Sequence, residues 1–191
     1  MTKQSANPRK PRSTKKASPK TTASLAITPD PLLVEAAENK AKEYLQLGLD
    51  AEKEKKWEAA IECYRVVLRI NPVDPVTRYL APYNIAQSLW RLKRFAEAAG
   101  YAHAAVATDK ERHAAYNLLG IIYTELGKHQ DAAWYLLAAA RRATKSKVAW
   151  LNLQAILLKH PELLSDVPYL GDTVEATRKL LESRGQIPRG H

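Results

Sequence analysis

Tyr116-Asn-Leu-Leu-Gly-Ile-Ile-Tyr123, followed by Leu126-Gly127 and Asp131-Ala132, decides how this chain folds, because the rest of the sequence repeats it in step. Gly48, Ala86 and Gly120 are separated by 38 and then 34 residues, and Ala60, Ala98 and Ala132 follow each of them by 12. Trp57, Phe95 and His129 form a third column in the same register. Leu47, Ile85, Leu119 and Leu153 form a fourth; Tyr44, Tyr116 and Trp150 share another, with Pro82 in the second copy. A four-residue insertion near Pro75-Val-Thr-Arg78 turns 34 into 38. Repetition at a fixed period of this size is the signature of stacked supersecondary units.

The residue types in each column have a physical reason. A small residue at Gly48, Ala86 or Gly120 lets the two helices of one unit approach closely, and Ala60, Ala98 and Ala132 do the same from the facing helix. Large residues at Leu47, Ile85 and Leu119 are expected to fill the seam. One helical hairpin buries only one face, so it must stack on its neighbours to complete a core.

Working outward, Asp30-Pro31 is a helix start, with an N-cap followed by a proline at the first helical position. Leu32, Leu33, Ala36, Ala37, Tyr44, Leu45, Leu47 and Leu49 keep a helical rather than an alternating pattern to about Lys55. Residues 57–70 make a second helix that stops before Asn71-Pro72, since a residue preceding proline is biased away from the helical region. At Pro82 two readings stand: a helix beginning at Asp74-Pro75 and kinked at Pro82, which the period of Val76, Tyr79, Leu80 and Tyr83 favours, or one beginning at Ala81-Pro82 after a longer loop. Beyond the array, Gly171-Asp172-Thr173 offers a helix start and Gly185 a stop. That last helix either covers the end of the stack or binds a partner.

Composition removes whole classes. The chain has 191 residues, 30 Lys and Arg against 20 Asp and Glu, and a single cysteine, Cys63. No intrachain disulfide and no cysteine-based metal site is possible. No apolar run reaches the ~20 residues of a bilayer span, and the start lacks an apolar signal core, so a cytoplasmic location is expected. The basic excess is concentrated at the start: Lys3, Arg9, Lys10, Arg12, Lys15, Lys16 and Lys20 occur within residues 1–29 with no acid among them. This segment has too little apolar surface to offset its ordering entropy and reads as a disordered basic tail. Seven uncompensated cations would attract a nucleic-acid backbone or an anionic surface; a solubilising tail or a transit segment are the other readings.

Enzymatic chemistry finds no foothold. His103 and His113, the closest histidines in sequence, are ten apart and straddle an expected turn, whereas a metal pair on one helix wants three or four. No glycine-rich phosphate loop appears, nothing assembles Ser, His and Asp, and Cys63 reads as an inert, half-buried thiol. Catalytic residues, metal ligands and cofactors are therefore expected to be none.

The columns resemble the tetratricopeptide repeat, which places an aromatic, Leu-Gly, Tyr, Ala and Pro at these offsets. Lys110 and Thr144 depart from the pattern where it prefers proline, and Ala51 where it prefers Tyr. The resemblance implies an all-α fold, a right-handed superhelix of helical hairpins, with a disordered tail over 1–29 and a repeat domain over 30–191. Repeats fall at about 41–74, 79–112 and 113–146, with capping helices at about 147–159 and 172–184. It also implies a concave groove lined by the first helix of each hairpin, here Leu45, Leu49, Tyr83, Gln87, Trp90, Arg91, Asn117, Ile121, Thr124 and Leu151. That lining suits an apolar or amphipathic segment of another protein. Some members clamp a terminal carboxylate with Lys and Asn, but Leu45 and Leu49 stand near where such a clamp would begin. The function implied is a non-enzymatic protein-interaction adaptor. A narrower resemblance is to three-repeat chaperones of type III secretion translocators, which bind apolar segments but are not expected to carry a basic tail. The alternative is nucleic-acid association through the tail.

Overall fold

The computed structural model describes residues 30–189. Among the described residues the chain is entirely helical. Three antiparallel hairpins follow one another: α1 (Pro31–Lys53) with α2 (Trp57–Ile70), α3 (Pro75–Arg91) with α4 (Phe95–Thr108), and α5 (His113–Glu125) with α6 (His129–Arg142). The chain continues through α7 (Val148–Lys159), the single turn α8 (Leu163–Asp166) and α9 (Leu170–Ser183). From α1 to α7 each helix packs on the one before it, winding the hairpins into a right-handed superhelix, and α9 folds back on α6.

Local chemistry sets the helix ends. The Asp30 carboxylate accepts the Leu32 N–H at 2.9 Å and Pro31 occupies the first position. Asp74 repeats the arrangement, accepting the Thr77 N–H at 2.7 Å ahead of Pro75. The helix that follows is continuous through Pro82, which is buried and offers no N–H to the Arg78 carbonyl. Within each hairpin the turn is a Schellman motif: Lys56, Arg94 and Lys128 each donate backward to Ala51, Leu89 and Tyr123 carbonyls at 2.9 Å. The left-handed residues that make this possible are Lys55 (φ 58°), Lys93 (φ 59°) and Gly127 (φ 72°), again 38 and 34 apart. Only the third of them is glycine, so the first two turns carry no local sign in the sequence.

The small-residue columns do close the seams. A Cβ placed on Gly48 would lie 2.7 Å from Tyr64 Cζ, and one on Gly120 would lie 2.5 Å from Leu136 Cγ. Ala60, Ala98, Ala132, Ile85, Leu119 and Leu153 are fully buried. Leu47 is the exception and corrects the expectation for that column: it is 47% exposed. Ile85 and Leu119 pack against the hairpin preceding their own, whereas α1 opens the described array and Leu47 has no such neighbour there. The closing helix begins at Leu170, two residues earlier than Gly171-Asp172-Thr173 suggested, behind Tyr169 at φ 62°. It buries Leu170 and Leu181 in the α6–α7 core, and its far end is tied down by Arg184 donating to the Arg141 carbonyl at 3.0 Å. The apolar end of α6 is thereby covered.

Candidate binding groove

The first helices of the hairpins, α1, α3 and α5, together with α7, stand side by side and leave a furrow along one face. Three hollows follow it. The first, about 480 Å³, lies between α1 and α3 and is lined by Leu49, Glu52, Trp57, Gln87 and Arg91. The second, about 100 Å³, shares Gln87 and Arg91 with it and adds Tyr83, Trp90, Asn117 and Ile121. The third, about 400 Å³, shares Ile121 and runs past Thr124, His129, Asn152, Ile156, Lys159 and His160. Because neighbours share residues, the hollows form one continuous groove.

Eight of the ten residues assigned to this surface from the sequence, Leu49, Tyr83, Gln87, Trp90, Arg91, Asn117, Ile121 and Thr124, line it. Two do not. Leu45 is half-buried between α1 and α2, against the Ala60–Tyr64 core and the Val67–Ala81 core. Leu151 faces away, 49% exposed, into a separate cleft with Trp150, Arg178 and Ile187. The 34-residue register carries Asn117 onto Leu151, but α7 presents its next residue instead: Asn152 donates from Nδ2 to Asn117 Oδ1 at 3.0 Å. Trp57, Asn152, Lys159, His129 and His160 were not read as groove residues. Trp57 shares a hairpin with α1 yet comes from the second helix, and the histidines lie 31 apart in sequence, so neither had a local signal. The tail residues Lys3, Arg9, Lys10, Arg12, Lys15, Lys16 and Lys20 lie outside the described residues.

The two ends of the groove differ chemically. At the α1–α3 end the Arg91 guanidinium lies 4.9 Å from the Trp90 ring and 5.8 Å from the Trp57 ring, which holds a cation among apolar surfaces. The indole N–H of Trp90 is buried with no partner among the described residues. Glu52 sits behind this end, accepting the Ser88 hydroxyl at 2.9 Å. Burial pushes its carboxyl above the usual range, and the Ser88 bond only partly opposes that. At the α5–α7 end the His129 and His160 rings stack with centroids 3.8 Å apart, and the buried Nδ1 of His129 has no partner among the described residues. The Glu162 carboxylate lies 3.1 Å from His160 Nδ1.

These groups do not add up to a catalytic arrangement. Among the described residues no three His, Cys, Asp or Glu side chains are disposed to share a metal ion. Cys63 is partly exposed on α2, and burial together with Glu62 raises its thiol away from the reactive thiolate form. His103 lies elsewhere, against Tyr123 at 3.1 Å.

A family profile described as the tetratricopeptide repeat matches residues 83–147, from the middle of α3 to just past α6. Residues 83–147 thus carry tetratricopeptide repeats. Among solved structures similar to this repeat array is the first repeat domain of Spaghetti (RPAP3) bound to the HSP90 peptide SRMEEVD. It is 27% identical, with a TM-score of 0.59 over 65% of this chain and 95% of that one. MamA from Desulfovibrio magneticus RS-1, from residue 41 to its end, is 17% identical with a TM-score of 0.59, covering 78% of this chain and 80% of that one. A double mutant of the RS-1 MamA, at 17% identity and a TM-score of 0.58, covers 78% and 82%. The MamA likenesses speak to the fold alone. A comparison with curated protein sequences finds no match. No helix among the described residues is long and apolar enough to cross a membrane.

Proposed function

We propose that this tetratricopeptide-repeat protein is a non-enzymatic adaptor that holds a segment of another polypeptide along its concave groove. The observation that carries the reading is the continuity of the groove from Leu49 and Trp57 to Asn152 and Lys159, with the buried Trp90 N–H and His129 Nδ1 left unsatisfied on its walls. A bound segment would lay apolar side chains along the groove, and its free backbone carbonyls are the acceptors that the Trp90 N–H lacks. The complex of the Spaghetti domain with its peptide supports this use of the same fold. The occupant favoured here is apolar or amphipathic rather than a terminal carboxylate, because Leu49, Trp57, Trp90 and Ile121 line the groove and Lys53, the lysine that α1 brings to it, is paired with Asp50. A chaperone for an apolar segment is the same geometry with a different occupant.

The test is to pan a displayed library of amphipathic peptides on the full chain, then measure the selected peptides and SRMEEVD by fluorescence anisotropy. Selected apolar peptides should bind tighter than SRMEEVD, and Trp90→Ala should weaken them by about ten-fold or more, the loss expected of a central aromatic anchor. Selected peptides whose affinity is indifferent to Trp90→Ala and Ile121→Ala would remove the groove from the account.

A further inference from the structure

The two edges of the array carry different electrostatics. On the edge where the hairpins turn, Lys53 pairs with Asp50 at 2.7 Å, Lys56 with Glu54 at 2.6 Å and Arg94 with Glu97 at 2.6 Å, and the exposed cations Lys55, Lys93 and Lys128 are spread one to a turn. The opposite edge holds the start of α1 and the loops between hairpins, and a chain of contacts runs its whole length. The Asp74 N–H meets Glu38 across the α2–α3 loop, Arg112 lies 4.5 Å from the Tyr79 ring, Arg142 lies 4.2 Å from the Tyr116 ring and donates to the Lys110 carbonyl at 2.9 Å, and Arg184 donates to the Arg141 carbonyl.

At the α6 end of this edge Lys110, Arg141, Lys145, Lys147, Arg184 and Arg189 converge, all exposed. None of the six makes a salt bridge among the described residues. Several acids near the edge are already engaged, Asp30 and Asp74 on helix N-termini, Glu38 on the Val73 and Asp74 N–H groups, Asp109 on Arg112 at 2.9 Å, while Glu35 and Glu111 are exposed there. Exposed aliphatic side chains stand on the same edge. Leu33 is 69% exposed at the start of α1, Val73 is 63% exposed in the α2–α3 loop, and Val148 is 54% exposed at the start of α7. Residues 1–29, with seven cations and no acid, join the chain at Asp30 on this edge as well.

We propose that this edge is a docking surface for an anionic lipid bilayer. The cations would lie against acidic headgroups while the aliphatic tips enter the interface beneath them. A nucleic-acid strand would use the charge but not Leu33, Val73 and Val148, and the edge exposes no large aromatic side chain on which bases could stack. The surface is independent of the concave groove, so both partners could be held at once.

The test is vesicle flotation of the full chain with mixed phosphatidylcholine–phosphatidylglycerol vesicles and with pure phosphatidylcholine vesicles. Binding is expected only on the mixed vesicles. Lys145→Gln, Lys147→Gln and Arg189→Gln together should lower the partition about one-hundred-fold, following about five-fold per cation lost at an anionic surface. Lys55→Asn, Lys93→Asn and Lys128→Gln, three equal charges taken from the hairpin-turn edge, should lower it far less. Leu33→Ser, Val73→Ser and Val148→Ser together should weaken binding at unchanged charge, and circular dichroism should show all three variants folded. Equal retention on pure phosphatidylcholine, or an equal loss from the two edges, would overturn the proposal. So would duplex RNA binding that the corner substitutions abolish while vesicle binding is untouched.

Discussion

Alanine at Gly48 should destabilise this protein, although Gly48 sits inside α1, where alanine is normally the better residue. Replacing glycine in a helix interior gains about 1 kcal/mol from propensity. Against that, the new Cβ would lie 2.7 Å from Tyr64 Cζ and 2.8 Å from Tyr64 Cδ1, well inside van der Waals contact. Tyr64 is fully buried, and its rigid ring has no open direction in which to move. Overpacking of this kind costs about 1–3 kcal/mol, and a rigid aromatic neighbour argues for the upper end, so the net loss should be about 2 kcal/mol. For a chain of this length that is a fall in melting temperature of about 4–8 °C. Gly120→Ala should lose less, about 1 kcal/mol net, because the Leu136 side chain it meets can rotate partly away. The internal control is Gly100, in α4, where a Cβ meets nothing within 4 Å; there the same substitution should stabilise by about 1 kcal/mol. Urea unfolding followed by far-ultraviolet circular dichroism reads all three. A Gly48→Ala midpoint at or above wild type, alongside a stabilised Gly100→Ala, would refute the argument that these small residues are steric notches.

Three further outcomes follow from the same geometry. Gly127→Ala also meets no atom within 4 Å, yet its φ of 72° should cost about 1 kcal/mol through backbone strain alone, measurable in the same urea series. Glu52→Gln should be at least as stable as wild type at neutral pH, since the amide oxygen can still accept from Ser88 without burying a charge. The raised carboxyl pKa makes the native state the better proton binder, so wild-type stability from this site falls as pH rises through the raised value, and the gap between variant and wild type should close in acid. Asp74→Ala should lower the melting temperature at neutral pH by removing the bonds to the Thr77 N–H and hydroxyl. Those bonds hold the Asp74 carboxyl below its ordinary value, so their contribution is present above the unfolded pKa and is lost as pH falls through the depressed one, and the melts of wild type and variant should converge there.

The periodic columns were enough to reveal an array of helical hairpins, because close helix packing demands a small residue at a fixed offset and leaves a mark in every copy. The family resemblance that the columns carry also pointed to Tyr83, Gln87, Asn117 and Ile121, which occupy the same helical face in successive copies and lie together in one hollow. The turn between the first two helices was expected at Lys55 and is there, but the left-handed conformation of Lys55 and Lys93 was not legible, because a left-handed lysine looks like any other lysine until hydrogen bonds from Lys56 and Arg94 enforce it. At the ends of the array periodicity misled for a different reason: a column predicts burial only if a neighbour arrives. Leu47 lacks the preceding hairpin, and Leu151 faces the cleft beside Arg178 and Ile187 while Asn152 takes its place in the groove. The pairing of His129 with His160 and the convergence of cations at the α6 end were likewise decided by packing. They join residues from different elements, and only the placement of α7 and α9 against α6 brings them together.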